Sequence, residues 1–205
     1  MRLGIYGGSF DPIHYGHLLL AESAREQCRL DQVWFLPAAT PPHKQQRELV
    51  APARRVEMLQ LAILGHASFF LSTIEIERGG VSYTVDTLAA WQQEHPGDEL
   101  FLLMGADALA DLPAWREPAR ICSLATPAAV RRPDSPPLDF SLLAPFVSAE
   151  RLVEIERSQV EMPQVGFSST DIRRRVAEGR SIRYRVPRAV EKYIETHGLY
   201  QAKNA

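Results

Sequence analysis

The sequence predicts an α/β fold, a doubly wound parallel sheet with C-terminal helices. Two observations carry this. Over the first two-thirds of the chain short apolar runs alternate with stretches of helical period, joined by brief connections, which is the pattern of a parallel sheet covered on both faces. The polar motifs fall just after predicted strands, where sheets of this kind bind ligands. The arrangement is Rossmann-like. At 205 residues it suits a single domain, read as a core over 1–132 and an irregular connection with C-terminal helices over 133–205.

The elements follow in order. Arg2–Tyr6 is an apolar strand stopped by glycines, and Tyr15–Cys28 a helix with Leu20, Ala24 and Cys28 on one stripe. Val33–Leu36 is a strand ended by Pro37, and Pro52–Leu64 a helix with Val56, Leu59 and Ile63 facing inward. Phe69–Ile76 reads as a strand, Thr84–His95 as a helix started by Ser82 or Thr84, and Leu100–Met104 as a strand closed by Gly105. Ser123–Val130 supplies the last predicted strand. From Arg132 to Gln164 prolines interrupt any period, and the span reads as an irregular connection with one short helix or strand. Helices Ser169–Glu178 and Pro187–His197 follow, and the tail from Gln201 frays.

Composition limits the partners. A chain that is 45% hydrophobic and 23% charged has the makings of an ordinary core. Its net charge of −2 creates no global field for nucleic acid or an anionic membrane, so any anion site must be local. Cys28 and Cys122 lack CxxC spacing and read as two buried thiols in a reducing compartment, and no zinc pattern is present. The apolar run at the N-terminus is too short for a signal peptide, and no run approaches a membrane span. A soluble cytoplasmic protein is expected, with neither nucleic acid nor membrane as partner. A homo-oligomer is left open.

The most informative stretch is Gly7–His17, GGSFDPIHYGH, between the first strand and the first helix. A strand that ends in glycines and opens into a helix offers free backbone N–H groups and the positive end of a helix dipole, which suits phosphate. His14 and His17, three apart across Gly16, can both face an anion over the first turn. A second helix start, SSTDIR, has Ser169 as its expected N-cap, with Arg173 four residues on along the same face. Residues 169–192 carry eight Arg and Lys against three Asp and Glu, a local charge of +5. Arg174 and Arg175 point elsewhere on that helix and read as solvated.

GxFDPxHxGH resembles the signature of the nucleotidyltransferases that share an HxGH motif with class I aminoacyl-tRNA synthetases. Within that superfamily the chain resembles the bacterial nicotinate-nucleotide adenylyltransferases over essentially its whole length. The motifs are PPHK at 41–44, SYTVDTL at 82–88, MGAD at 104–107 with Trp115, RRP at 131–133 and SSTDIR at 168–173. Val165-Gly166-Phe167 departs from the family, which more often has an apolar β-branched residue ahead of SST.

The resemblance implies adenylyl transfer from ATP to nicotinate mononucleotide, giving deamido-NAD and pyrophosphate in NAD biosynthesis. It makes His14, His17, Lys44 and Arg173 catalytic. It puts Gly7, Gly8, Ser9, Phe10, Gly105, Asp107, Ser168 and Ser169 at ATP with the two histidines and Arg173. Lys44, Tyr83, Thr84, Trp115 and Arg132 go to the acceptor, with Trp115 as a flat face for the pyridine ring. His43 stays balanced between ligand and structural residue. The acceptor phosphate is already ionised, so the chemistry asks for alignment and charge stabilisation and not for a protein nucleophile. The sequence shows no carboxylate cage for a metal, and Mg²⁺ is expected to arrive on ATP. Two other readings share the fold: a phosphopantetheine adenylyltransferase, whose family lacks the PPHK, SYTxDTL and Trp115 set, and a nucleotide-binding regulator without catalysis.

Overall fold

The computed structural model describes residues 1–41, 49–131 and 137–202. Six parallel strands form one sheet: β1 (Arg2–Gly8), β2 (Gln32–Pro37), β3 (Phe69–Leu71), β4 (Glu99–Gly105), β5 (Thr126–Arg131) and β6 (Val160–Glu161), in the order β3-β2-β1-β4-β5-β6. The order reverses between β1 and β4. In open α/β sheets that reversal opens a crevice beyond the carboxyl ends of the strands.

Both faces of the sheet are covered, as strands with near-continuous apolar runs require. In β4 Phe101 and Leu103 join one core while Leu100, Leu102 and Met104 join the other, following the alternation of the pleat. On the first face lie α1 (Tyr15–Gln27), α2 (Pro52–Ile63), α8 (Ser169–Ala177) and α9 (Arg188–Thr196), through residues such as Ala24, Leu59, Ile172 and Val190. On the other lie α4 (Thr84–Glu94), α6 (Pro118–Leu124) and α7 (Ala149–Arg157), through Leu88, Ile121 and Ile155. The short α3 (Ile74–Arg78) and α5 (Ala106–Asp111) complete the set used below. Among the described residues no helix is long and apolar enough to cross a membrane, and both cysteines are buried and free.

Three expectations need correction. The predicted strand Phe69–Ile76 is a strand only to Leu71, and α3 follows. Ile74 and Ile76 mimic strand alternation, but Gly79 with φ of 68° ends a helical turn there. In α2 the inward face is Arg55, Met58, Leu59 and Ile63, and Val56 is only half-buried. A charged residue thus sits on the buried stripe, where an apolar period would not place it. The span after Arg132 holds more structure than one short element: a 3₁₀ stretch at Phe140–Phe146, then α7 and β6, which pairs with β5 through Val130 and Val160.

Candidate active site

The loop from β1 to α1 lies at the crevice. His14 is the N-cap of α1, with extended backbone (φ −149°, ψ 169°), and its N–H donates to His17 Nδ1 at 3.3 Å. With Nδ1 accepting, a neutral His17 carries its proton on Nε2. The two imidazoles stack with centroids 3.7 Å apart and planes 23° apart. Gly16 makes room for this: a Cβ there would lie 3.0 Å from both Cε1 and Nδ1 of His14. The H-x-G-H spacing is therefore a packing requirement as well as a chemical one. Gly16→Ala is expected to lower kcat about tenfold, because the His14 ring must shift from its stacked position. Its melting temperature should change little, since alanine favours the helix. Full activity in the alanine variant would contradict this account of the glycine.

Phe10 was expected at ATP, but it is a buried prop, only 1% exposed. Its ring meets that of His17 at 5.1 Å and that of Tyr6 at 5.4 Å, both edge-on. It supports the histidine from below.

The start of α8 faces this loop. Ser168, not Ser169, is the N-cap, its Oγ accepting from the Asp171 N–H at 3.1 Å. Ser169, one residue inside the helix, is free to turn its hydroxyl to the Pro12 carbonyl at 2.9 Å. Arg173 donates to the Asp11 carbonyl at 2.5 Å and to Thr170 Oγ1 at 2.9 Å. Arg174 pairs outward with Asp171 at 2.5 Å, and this bond together with the neighbouring arginines holds the Asp171 carboxyl below its usual range. Arg174 is exposed and Arg175 half-buried, its Nε donating to the Ser181 carbonyl at 2.8 Å, so both are turned away from the loop. The cavity between the loop and α8 has a volume of about 490 Å³, with His14, His17, Asp107, Ser168, Ser169 and Arg173 on its walls.

A second cavity, about 370 Å³, opens on the other side of the crevice. Its wall is mainly apolar, with Leu36, Leu88, Leu102, Met104 and Trp115, and the start of α4 enters it through Tyr83 and Thr84. Neither Ser82 nor Thr84 caps α4: Tyr83 occupies the N-cap, while Ser82 Oγ accepts the Ala39 N–H at 2.9 Å. Gly7 and Gly8, expected at ATP, line this second cavity and not the polar one. Tyr6, Ser9 and Gly105 line both cavities and form the ridge between them.

Lys44, His43 and Arg132 lie outside the described residues. The structure adds two charged residues to the second cavity that the sequence reading missed. Arg116 stacks its guanidinium 4.9 Å over the Tyr83 ring and reaches Asp86 at 3.5 Å. Glu75 is buried, accepts from Thr87 Oγ1 at 2.7 Å, and burial pushes its carboxyl above the usual range. Its place in a strand-like IEI triplet hid it.

Among the described residues no group of three His, Cys, Asp or Glu side chains could hold a metal. Asp107 is the one carboxylate on the described wall of the polar cavity. That donor set fits a cation brought in on phosphate oxygens and water better than one caged by protein.

Fold and paired cavities define a nucleotide-binding α/β protein, and the family model described as Cytidylyltransferase-like matches residues 5–175. A Thermomicrobium roseum protein named "Probable nicotinate-nucleotide adenylyltransferase" is 47% identical, over 100% of this chain and 94% of its own length. A Thermus thermophilus protein of the same name is 50% identical over 98% of this chain and 100% of its own. The chain belongs to the nicotinate-nucleotide adenylyltransferase family within the cytidylyltransferase-like group. A Plasmodium falciparum nicotinic acid mononucleotide adenylyltransferase, solved with NaAD, has a TM-score of 0.74 over 97% of each chain at 19% identity, a likeness that carries the fold.

Proposed function

We propose that this chain transfers the adenylyl group of ATP to the phosphate of nicotinate mononucleotide, giving deamido-NAD and pyrophosphate in cytoplasmic NAD biosynthesis. The observation that carries the reading is the pair of cavities meeting at Tyr6, Ser9 and Gly105, one polar and cationic, the other apolar and aromatic. The polar cavity takes the triphosphate and the apolar one the pyridine ring, so the reacting phosphates meet over the ridge.

An acceptor phosphate oxygen attacks the α-phosphorus of ATP, and the bond to the β-bridging oxygen breaks, releasing pyrophosphate. No proton need leave the acceptor. His17 donates through Nε2–H, with His14 stacked against it, as charge builds on the phosphoryl oxygens. Arg173, Ser168 and Ser169 hold the triphosphate, and Asp107 accepts from the ribose hydroxyls. Lys44 and Arg132 keep the phosphate roles that the family resemblance implies. Trp115 stacks on the pyridine ring, and Tyr83 and Thr84 surround its carboxylate. Mg²⁺, held by ATP oxygens and waters, supplies further neutralisation of phosphate charge.

Two experiments test the reading. With ATP labelled at the α-phosphorus and nicotinate mononucleotide present, the label should appear in a dinucleotide. Label left in AMP, as attack at the β-phosphorus would give, or on the protein would refute the bond assignment. In ATP titrations, Arg173→Ala should weaken binding about tenfold and Arg175→Ala about twofold or less, because only Arg173 lines the polar cavity. Equal losses would mean a diffuse basic field in place of a specific clamp.

A further inference from the structure

Arg55 heads the fully buried side chains of this protein, at 0% exposure, and the proposed reaction does not use it. It lies in the first turns of α2, beneath the point where β1 and β2 stop pairing. All three of its nitrogens donate to backbone carbonyls of three separate segments: Nε to Val50 at 3.0 Å, Nη1 to Ser9 at 2.9 Å and Nη2 to Ala38 at 2.8 Å. A buried guanidinium that spends its fork on neutral carbonyls keeps its charge at a high desolvation cost. Burial pulls its pKa below the ordinary range, opposed by the field of Asp11. Asp11 is itself buried, 2% exposed, and accepts from Tyr200 Oη at 2.7 Å.

What the three carbonyls belong to gives the arrangement a purpose. Ser9 is on the ridge shared by both cavities, and Ala38 is on the wall of the apolar one. In a trans peptide the carbonyl and the following N–H point in opposite directions, so pinning one aims the other. The Ala38 carbonyl is held by Arg55, and the next N–H, that of Ala39, donates to Ser82 Oγ at 2.9 Å. Ser82 directly precedes Tyr83 and Thr84 in the acceptor cavity. One guanidinium thus fixes the ridge at Ser9 and, through a single peptide, the approach to the acceptor pocket.

We propose that Arg55 is a positioning residue that sets the offset between the two substrate cavities, and hence the alignment of the two phosphates. This rests on the assignment of the cavities given above. Turnover by the wild type tests that assignment separately, and the Arg55 variants are scored against the wild type. A change of offset by a fraction of an ångström affects the reacting pair much more than either substrate alone. The loss should therefore fall on kcat, with each KM nearly kept.

The test compares Arg55→Met, Arg55→Lys and, as a control in the opposite core, Leu143→Ala, measuring folded fraction, melting temperature, kcat and both KM values below each melting point. Arg55→Met should lose about tenfold or more in kcat with each KM within about threefold. Arg55→Lys keeps the charge but replaces a planar fork with one nitrogen, and should recover only part of the rate. Leu143→Ala, destabilised by its cavity, should keep kcat within twofold of wild type. A folded Arg55→Lys with wild-type kcat overturns the proposal, as does a Leu143→Ala that loses kcat as far as Arg55→Met. If neither Arg55 variant folds, Ser82→Ala decides, since it releases the acceptor-side arm together with the Ser82 bond to buried Glu75. Its kcat should fall about threefold or more at unchanged KM for ATP, and an unchanged kcat overturns the proposal.

Discussion

Replacing His17 with alanine is expected to lower kcat about a hundredfold while the protein still folds. His17 sits in the first turn of α1, half-buried, with its Nδ1 occupied by the His14 N–H at 3.3 Å and its ring stacked on His14. These contacts place one donor, Nε2–H, before substrate arrives. Such pre-placed donors contribute on the order of 3 kcal/mol at sites where charge develops, which corresponds to about two orders of magnitude in rate. The fold should survive, because the loop remains held by Ser169 at Pro12 and by Arg173 at Asp11. Steady-state kinetics at saturating substrates, alongside the melting temperature, make the check. Near-normal kcat would remove His17 from the chemistry.

The second large effect concerns the acceptor. Nicotinate and nicotinamide mononucleotides share a shape and differ at a carboxylate against an amide. The start of α4 lies in the apolar cavity, where the Asp86 and Thr87 N–H groups turn back to the Tyr83 carbonyl at 3.2 and 3.3 Å. The Thr84 hydroxyl, the Thr84 and Val85 N–H groups and the positive end of the helix remain to meet an anion. An amide there sets N–H against N–H, and discrimination in favour of the acid should exceed about a hundredfold. Arg116, 51% exposed at its side chain and already engaged by Asp86, adds only a screened contribution. Trp115 lines the same cavity, and on the proposed reading its face serves both nucleotides. Trp115→Ala should raise KM for both alike, whereas Thr84→Ala should narrow the ratio of specificity constants. A Trp115 variant that changes the ratio while Thr84→Ala leaves it alone would reverse these roles.

Much of this was legible in the sequence, for identifiable reasons. β1, β2 and β4 are buried on both faces and read as unbroken apolar runs, and glycine or proline marks their ends. His14, His17, Ser168, Ser169 and Arg173 fall together in one cavity because both motifs sit at helix starts on the same edge of the sheet. Residues whose role depends on packing across the chain were not legible. Phe10 has a φ of 45° and its ring is turned inward against His17, a packing that the motif itself does not announce. β6 is two residues long and exists only by pairing with β5. The expected inward face of Pro52–Leu64 was Val56, Leu59 and Ile63 and left out Arg55, whose buried place depends on the carbonyls of Ser9, Ala38 and Val50.

The central claim is that the two cavities receive ATP and nicotinate mononucleotide for direct adenylyl transfer. Pyrophosphate release, measured with ATP and each of nicotinate mononucleotide, nicotinamide mononucleotide and phosphopantetheine, tests it most directly. The account predicts rapid release with nicotinate mononucleotide, at a specificity constant about a hundredfold or more above that for the amide, and none above background with phosphopantetheine. Equal use of the two mononucleotides, preference for phosphopantetheine, or no release with any of the three would contradict it.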